Sequence, residues 1–304
     1  MSFGRTRLGH LSFTGEIMCW KHVLIRRLPR TASVELALVL LTCFASGCGA
    51  KKYEERLAAT SEYFEYKDRI NTELTPAWSG RGISLQVPGQ FALVPPPSQP
   101  DTEEGEANAS LVEDHRQPHY LGIELPGLVS AWKANVQADA EGDDEQGRTA
   151  YLYLFSNYDW HLQSGEGNNP STYLSELERQ VTSSIGVFLP EGDGGTGAQK
   201  NVRYRETIPS GLPDSKFGPP QDFTAVTLSP EIPVSDVPLE MQMYEWAGSQ
   251  IQVALLMVYP ASVSPQEDLQ ERLRLTMQTL AVADQAPRAG GTQGGNGPGP
   301  ARSF

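Results

Sequence analysis

Residues 251–259 form a nearly unbroken apolar run, IQVALLMVY, and residues 151–155, YLYLF, form a second. A short strand without a polar face belongs at the centre of a sheet, because both of its sides must be buried. The first run follows the alternating residues 239–246, LEMQMYEW, with Gly248-Ser249 between them as a turn. That order predicts an antiparallel hairpin. Further strands are expected at 83–87, where ISLQV alternates up to Pro88-Gly89, at 91–94 as a short edge segment, and at 120–123, 131–136, 202–205 and 223–228.

Helical signals lie between and after these strands. Asn169-Pro170 offers an N-cap and a first-turn proline ahead of Leu174, Leu177, Val181 and Ile185, with Gly186 placed to stop the helix. Ser264-Pro265-Gln266-Glu267 reads as a capping box before Leu269, Leu273, Met277 and Leu280, and that helix is expected to end near Ala283. A third, narrow-striped amphipathic helix is expected over 51–78, with Tyr53, Leu57, Phe64, Ile70 and Leu74 at helical spacing and Pro76 as its terminator. The fold class implied is α+β, an antiparallel sheet flanked by helices. The insertion near 95–117, rich in proline and acids, and the tail 284–304, with six glycines and three prolines in its last 20 residues, have too little apolar content to order and are expected to be disordered.

The N-terminus reads as an address. From Met18 the chain passes through Lys21, Arg26, Arg27 and Arg30, an apolar stretch at 36–45, and then Ser46-Gly47-Cys48. Charged, apolar and small is the order of a signal peptide, and a stretch of about ten residues is too short to span a bilayer, which takes about 20. Ala45-Ser46-Gly47-Cys48 resembles a bacterial lipobox, with Ala where Leu is usual. The resemblance implies a signal over 1–47, complete if translation starts at Met18, acylation of Cys48, and a lipidated helical tether over 48–79 ahead of a single α+β domain at 80–283. Cys19 and Cys43 leave with such a signal, so the mature chain has no thiol for a disulfide, a metal or catalysis.

From Cys48 onward 18 basic residues face 35 acidic ones, a balance of −17. Nucleic-acid affinity comes mainly from cations neutralising phosphates, so this charge excludes nucleic acid as a partner.

The Ile-Ser-Leu-Gln-Val-Pro opening at 83–88, the central helix, the hairpin and the closing helix from Ser264 together resemble the Mog1/PsbP-like domains, over roughly residues 80–283. That resemblance implies an α/β/α sandwich on an antiparallel sheet. It also implies a non-enzymatic binding or assembly-assisting module, often secreted or lipidated, with no catalytic residues to carry over. The chain as a whole resembles bacterial lipoproteins of the cell envelope, facing the periplasm or exterior, with the membrane as one partner and an envelope protein or ligand as another.

His115 and His119 have the spacing of a helical metal pair, but Pro118 stands between them and no Glu lies inside the spacing. Asp159 and His161, near Glu166, are the retained site candidates, as ligands or as a base with its orienting partner, or else as a polar strand end beside Trp160. The glycine-rich residues 192–197 lack the Lys-Ser/Thr of a phosphate loop, and Asp143-Asp144-Glu145 lacks the spaced ligands of a calcium loop. Asn108-Ala109-Ser110 matches a glycosylation acceptor, which a bacterial lipoprotein has no reason to use. Trp78, Trp132, Trp160 and Trp246 with Tyr151, Tyr153 and Tyr244 either line a ligand groove or fill the core. No catalytic residue, metal or cofactor is assigned. The leading expectation is a lipid-anchored binding module; an envelope hydrolase and a small-ligand binder are the alternatives.

Overall fold

The computed structural model describes residues 30–97, 114–137, 148–162, 169–190, 192, 195, 200–210, 217–231 and 234–286. The chain divides into two units, Met1–Thr60 and Ser61–Phe304. A helix, α1, runs Arg30–Glu73 and so includes Cys48. It stops just short of Pro76, whose missing amide hydrogen would leave a helical bond unmade. Among the described residues no helix is long and apolar enough to cross a membrane.

The second unit is α+β, with antiparallel sheets flanked by a few helices. Its strands are β1 (Trp78–Gly80), β2 (Ile83–Leu85), β3 (Ala92–Val94), β4 (Leu128–Val136), β5 (Arg148–Ser156), β6 (Val202–Ile208), β7 (Gln221–Leu228), β8 (Leu239–Ala247), β9 (Gln252–Pro260) and β10 (Ala281–Val282). Seven of them form one sheet in the order β3-β4-β5-β9-β8-β7-β6, and β1-β2-β10 form a second. The expected hairpin is β8–β9, in register from Leu239↔Pro260 to Ala247↔Gln252. The two apolar runs, on β5 and β9, lie side by side at the middle of the large sheet, from Tyr151↔Val258 to Ser156↔Val253.

Both faces of that pair are buried. On one, Leu152, Leu154, Leu255 and Met257 pack with Ile83 and Leu85 of β2 and with Leu269, Leu273 and Met277 of helix α4 (Leu269–Gln278). On the other, Tyr153, Phe155, Leu256 and Val258 meet Tyr173, Leu177, Val181 and Ile185 of helix α3 (Tyr173–Ser184). Asn169 begins the α3 region as expected: its Oδ1 accepts from the Ser171 amide at 3.1 Å, and Pro170 opens a 3-10 turn. Gly186, at φ 70°, ends it.

Several expectations are corrected. Residues 120–123 do not form a strand: His119–Leu121 is a 3-10 turn, because Pro118 enters it and Gly122, at φ 67°, leaves it in the left-handed region. The insertion at 95–117 is not disordered throughout. Arg116 forks onto Asp114, at 2.7 Å from Nη2 to Oδ2, and the Gln117 amide exchanges bonds of 3.0 and 3.1 Å with the Leu125 backbone. These bonds fix residues 114–117, whereas 98–113 lie outside the described residues. The capping box takes a different form. The Ser264 hydroxyl caps a 3-10 turn, the Ser264 amide donates to the Gln137 carbonyl, and Glu267 accepts from the Gln137 amide at 2.9 Å. The helix that follows ends at Gln278 and not near Ala283, and Ala281–Val282 turns into β10 on β2. The tail is held as far as 286, by Ser249 Oγ on the Asp284 carbonyl at 3.1 Å and the Ala286 amide on Gln250 at 2.7 Å.

The apolar stripe of the first helix is also divided. Phe64 is exposed, while Tyr66, Ile70 and Leu74 are buried against Leu275 of α4. Polar bonds complete this joint, with Tyr66 donating to Gln278 at 3.1 Å and Arg69 to Glu271 at 3.0 Å. The unit Ser61–Phe304 thus takes Tyr66, Ile70 and Leu74 of this helix into its core. Further along α4, Arg274 binds Glu206 of β6 at 2.7 Å, and Glu206 accepts from the Tyr244 hydroxyl at 2.8 Å. Burial first, then the Glu206 charge, push the Tyr244 phenol well above its usual pKa and keep it a neutral donor.

Two outcomes follow from this packing. Leu273 is fully buried, so Leu273→Ala is expected to lower unfolding free energy by about 2–5 kcal/mol in urea titration. The bonds from Arg116 lower the pKa of Asp114, so the stability they add is present above the ordinary value of 3.8 and is lost as pH falls through the lower folded value. In Arg116→Ala, NMR titration should find the Asp114 pKa moved up.

Candidate functional site

Asp159 and His161 sit on α2 (Tyr158–Leu162), the single helical turn that leaves the end of β5. The chain turns there because Ser156 Oγ accepts the Tyr158 amide at 3.2 Å and the His161 amide bonds back to the Asn157 carbonyl at 3.2 Å. Residues two apart on a helix face different ways, and the two candidates find different partners. Asp159 pairs with Arg81, which the β1–β2 hairpin presents from a left-handed position at φ 50°. His161 is half-buried, and its Nε2 lies 3.1 Å from the Gln250 carbonyl oxygen. The same nitrogen lies 3.4 Å from the Asn157 side-chain amide nitrogen. The structure does not bring the pair together as base and orienting partner, and Glu166 lies outside the described residues.

The residue that organises this corner is Asn157, fully buried between the two candidates and β5. Its Nδ2 donates to the Pro170 carbonyl at 3.1 Å and the Gln250 carbonyl at 3.0 Å, and its Oδ1 accepts the Gln252 amide at 2.9 Å. One side chain thus joins the end of β5, the entry to α3 and the β8–β9 turn. Sequence reasoning passed over Asn157, whose only local signal is a polar amide directly after an apolar strand. Next to it Trp160 meets Tyr173 edge-on at 5.0 Å, and the Tyr173 hydroxyl donates to the Pro126 carbonyl at 2.9 Å. Burial raises the pKa of the Tyr173 phenol, and the Asp159 charge adds to the rise. Gly127, at φ 75°, lets the chains meet here: a Cβ on it would lie 2.4 Å from the Ser156 carbonyl oxygen and 2.5 Å from the Tyr173 hydroxyl.

The other sequence candidates disperse. His115 and His119 are exposed, on either side of buried Pro118. Trp132 is buried with Trp78 edge-on at 5.6 Å on one face of the sheet, whereas Tyr153 is buried on the other, so the aromatic set fills two cores and does not line one groove. Of residues 192–197 only Gly192 and Gly195 are described, and 143–145 and 108–110 are not. Among the described residues no three His, Cys, Asp or Glu side chains converge where they could hold a metal ion.

A cavity of about 380 Å³ opens elsewhere, beneath the β7–β8 connection. Pro230, Val237, Pro238 and Ala261 give it apolar walls, and Asp236 and Glu240 give it acids, with Lys200 3.8 Å from Glu240. Sequence reasoning missed it too. The chain matches no protein-family model and no curated protein.

Asn157→Ala removes three bonds and strands buried backbone groups, so it should destabilise by about 1–3 kcal/mol or more by urea titration. Asp159→Asn, at a pair whose side chains remain 29% and 40% exposed, should cost under about 1 kcal/mol.

Proposed function

We propose that this protein is a lipid-anchored component of a bacterial cell envelope whose α+β unit is a non-catalytic binding or assembly module of the Mog1/PsbP-like type. The observation that carries the reading is the basic, apolar, small and cysteine order from Met18 to Cys48, set ahead of such a unit. Removal of residues 1–47 would leave Cys48 as the acylated first residue. One acyl chain binds a bilayer marginally and two or more hold it stably, which makes the cysteine the anchor and leaves the sandwich to bind.

Further geometry supports this reading. Helix α3 covers one face of the antiparallel sheet and α4 the other, the layering expected of a Mog1/PsbP-like sandwich. Asp159 and His161, the side chains a hydrolase would use, are engaged by Arg81 and by the Gln250 carbonyl in structural bonds. The cavity beneath the β7–β8 connection favours a second version of the binding role, a small-ligand binder, because its volume and partly apolar walls suit a small molecule.

Cys48→Ser should move the protein from the membrane to the soluble fraction, and a variant that stays with the membrane would exclude the anchor. Crosslinking in cells separates the two versions of the binding role. A protein crosslinked through the unit in a fixed place supports assembly, whereas a thermal shift with a small molecule, abolished by Val237→Trp in the cavity, supports ligand binding.

A further inference from the structure

All side chains of residues 50–60 are exposed. Two of them are large and apolar: Tyr53 is 67% exposed and Leu57 57%. Four residues apart on α1, they share one face. Arg56 on one side and Glu54 on the other flank that face, while Lys51 and Lys52 lie further round the same two turns; the three cations outnumber Glu54 and Glu55, so residues 48–60 carry one net positive charge. Residues 61–304 carry 15 basic against 33 acidic residues, a balance of −18.

We propose that residues 51–57 are a membrane-surface contact, in which Lys51, Lys52 and Arg56 bind anionic phospholipid headgroups while Tyr53 and Leu57 enter the interface. This rests on the lipid anchor at Cys48 and adds to it a contact made by the polypeptide. At 1.5 Å per residue Tyr53 lies about 8 Å along the helix from Cys48, close to the distance over which salt screens charge. The basic side chains are therefore near enough to anchored lipid to feel its charge. Tyrosine suits this depth, having an apolar ring and a hydroxyl that stays wet. The acidic remainder of the chain is repelled by the same surface, which confines the attraction to this stretch.

The mature chain has no other thiol, so Tyr53→Cys and Glu55→Cys can each carry an environment-sensitive fluorophore in the full acylated protein. The proteins are reconstituted into vesicles of phosphatidylcholine with or without phosphatidylglycerol, and flotation and an intact mass report the anchor separately. With phosphatidylglycerol, the probe at 53 should shift to the blue and be quenched by a lipid-borne quencher several-fold more than the probe at 55. Added salt, or Lys51→Glu with Lys52→Glu, should abolish the difference. Equal exposure of both probes to water in protein that floats overturns the contact and leaves the anchor standing. A shift at 53 that is the same without anionic lipid, or that grows with protein concentration, also overturns it, the latter in favour of a second copy of the chain. Protein that does not float and retains residues before Cys48 overturns the anchor and the contact together.

Discussion

Everything in the folded unit depends on β5 and β9 being apolar on both sides and paired with each other. A strand of that kind cannot lie at an edge or face water, so it demands two layers of cover. α3 supplies one of them through Tyr173, Leu177, Val181 and Ile185. α4, together with β2 and its neighbours, supplies the other. Because the two central strands are nearly 100 residues apart in sequence, their pairing also fixes the places of β4 and β8, which flank them.

With the layers in place, the polar groups at the ends of the strands need partners, and long-range side-chain bonds meet that need. Asn157 satisfies three backbone groups at one corner. Glu206 ties Arg274 of α4 to Tyr244 of the sheet. Glu267, left over from its expected capping role, holds the backbone at Gln137 instead. A buried amide or carboxylate without partners is costly, so these bonds specify how the layers meet more than they add to net stability. In the same corner Asp159 pairs with Arg81 and His161 lies against the Gln250 carbonyl, so each of the two meets a different segment.

The candidate site was legible in the sequence only as residue types. Asp159 and His161 were visible because carboxylates and imidazoles near a strand end are always candidates. Their partners were not, because Arg81 and Gln250 lie 78 and 89 residues away. Asn157 looked like any polar residue after a strand. The cavity was hidden because its walls come from the β7–β8 connection, Lys200 and Ala261, which no local pattern brings together.

By itself the sequence determined what neighbours a few residues apart can decide: the two-sided strands, the β8–β9 turn, the Asn169-Pro170 start of the α3 region, and the charge of −17 from Cys48 onward. Those features depend on side-chain period and turn chemistry, which act locally. Only the tertiary structure decided that residues 66–74 join the core, that residues 281–282 leave a helix to pair with β2, and that Arg116 and Gln117 order a stretch with the composition of a disordered one. Each of these rests on a contact between distant segments. Its free energy appears only once the sheet has set the register that brings them together.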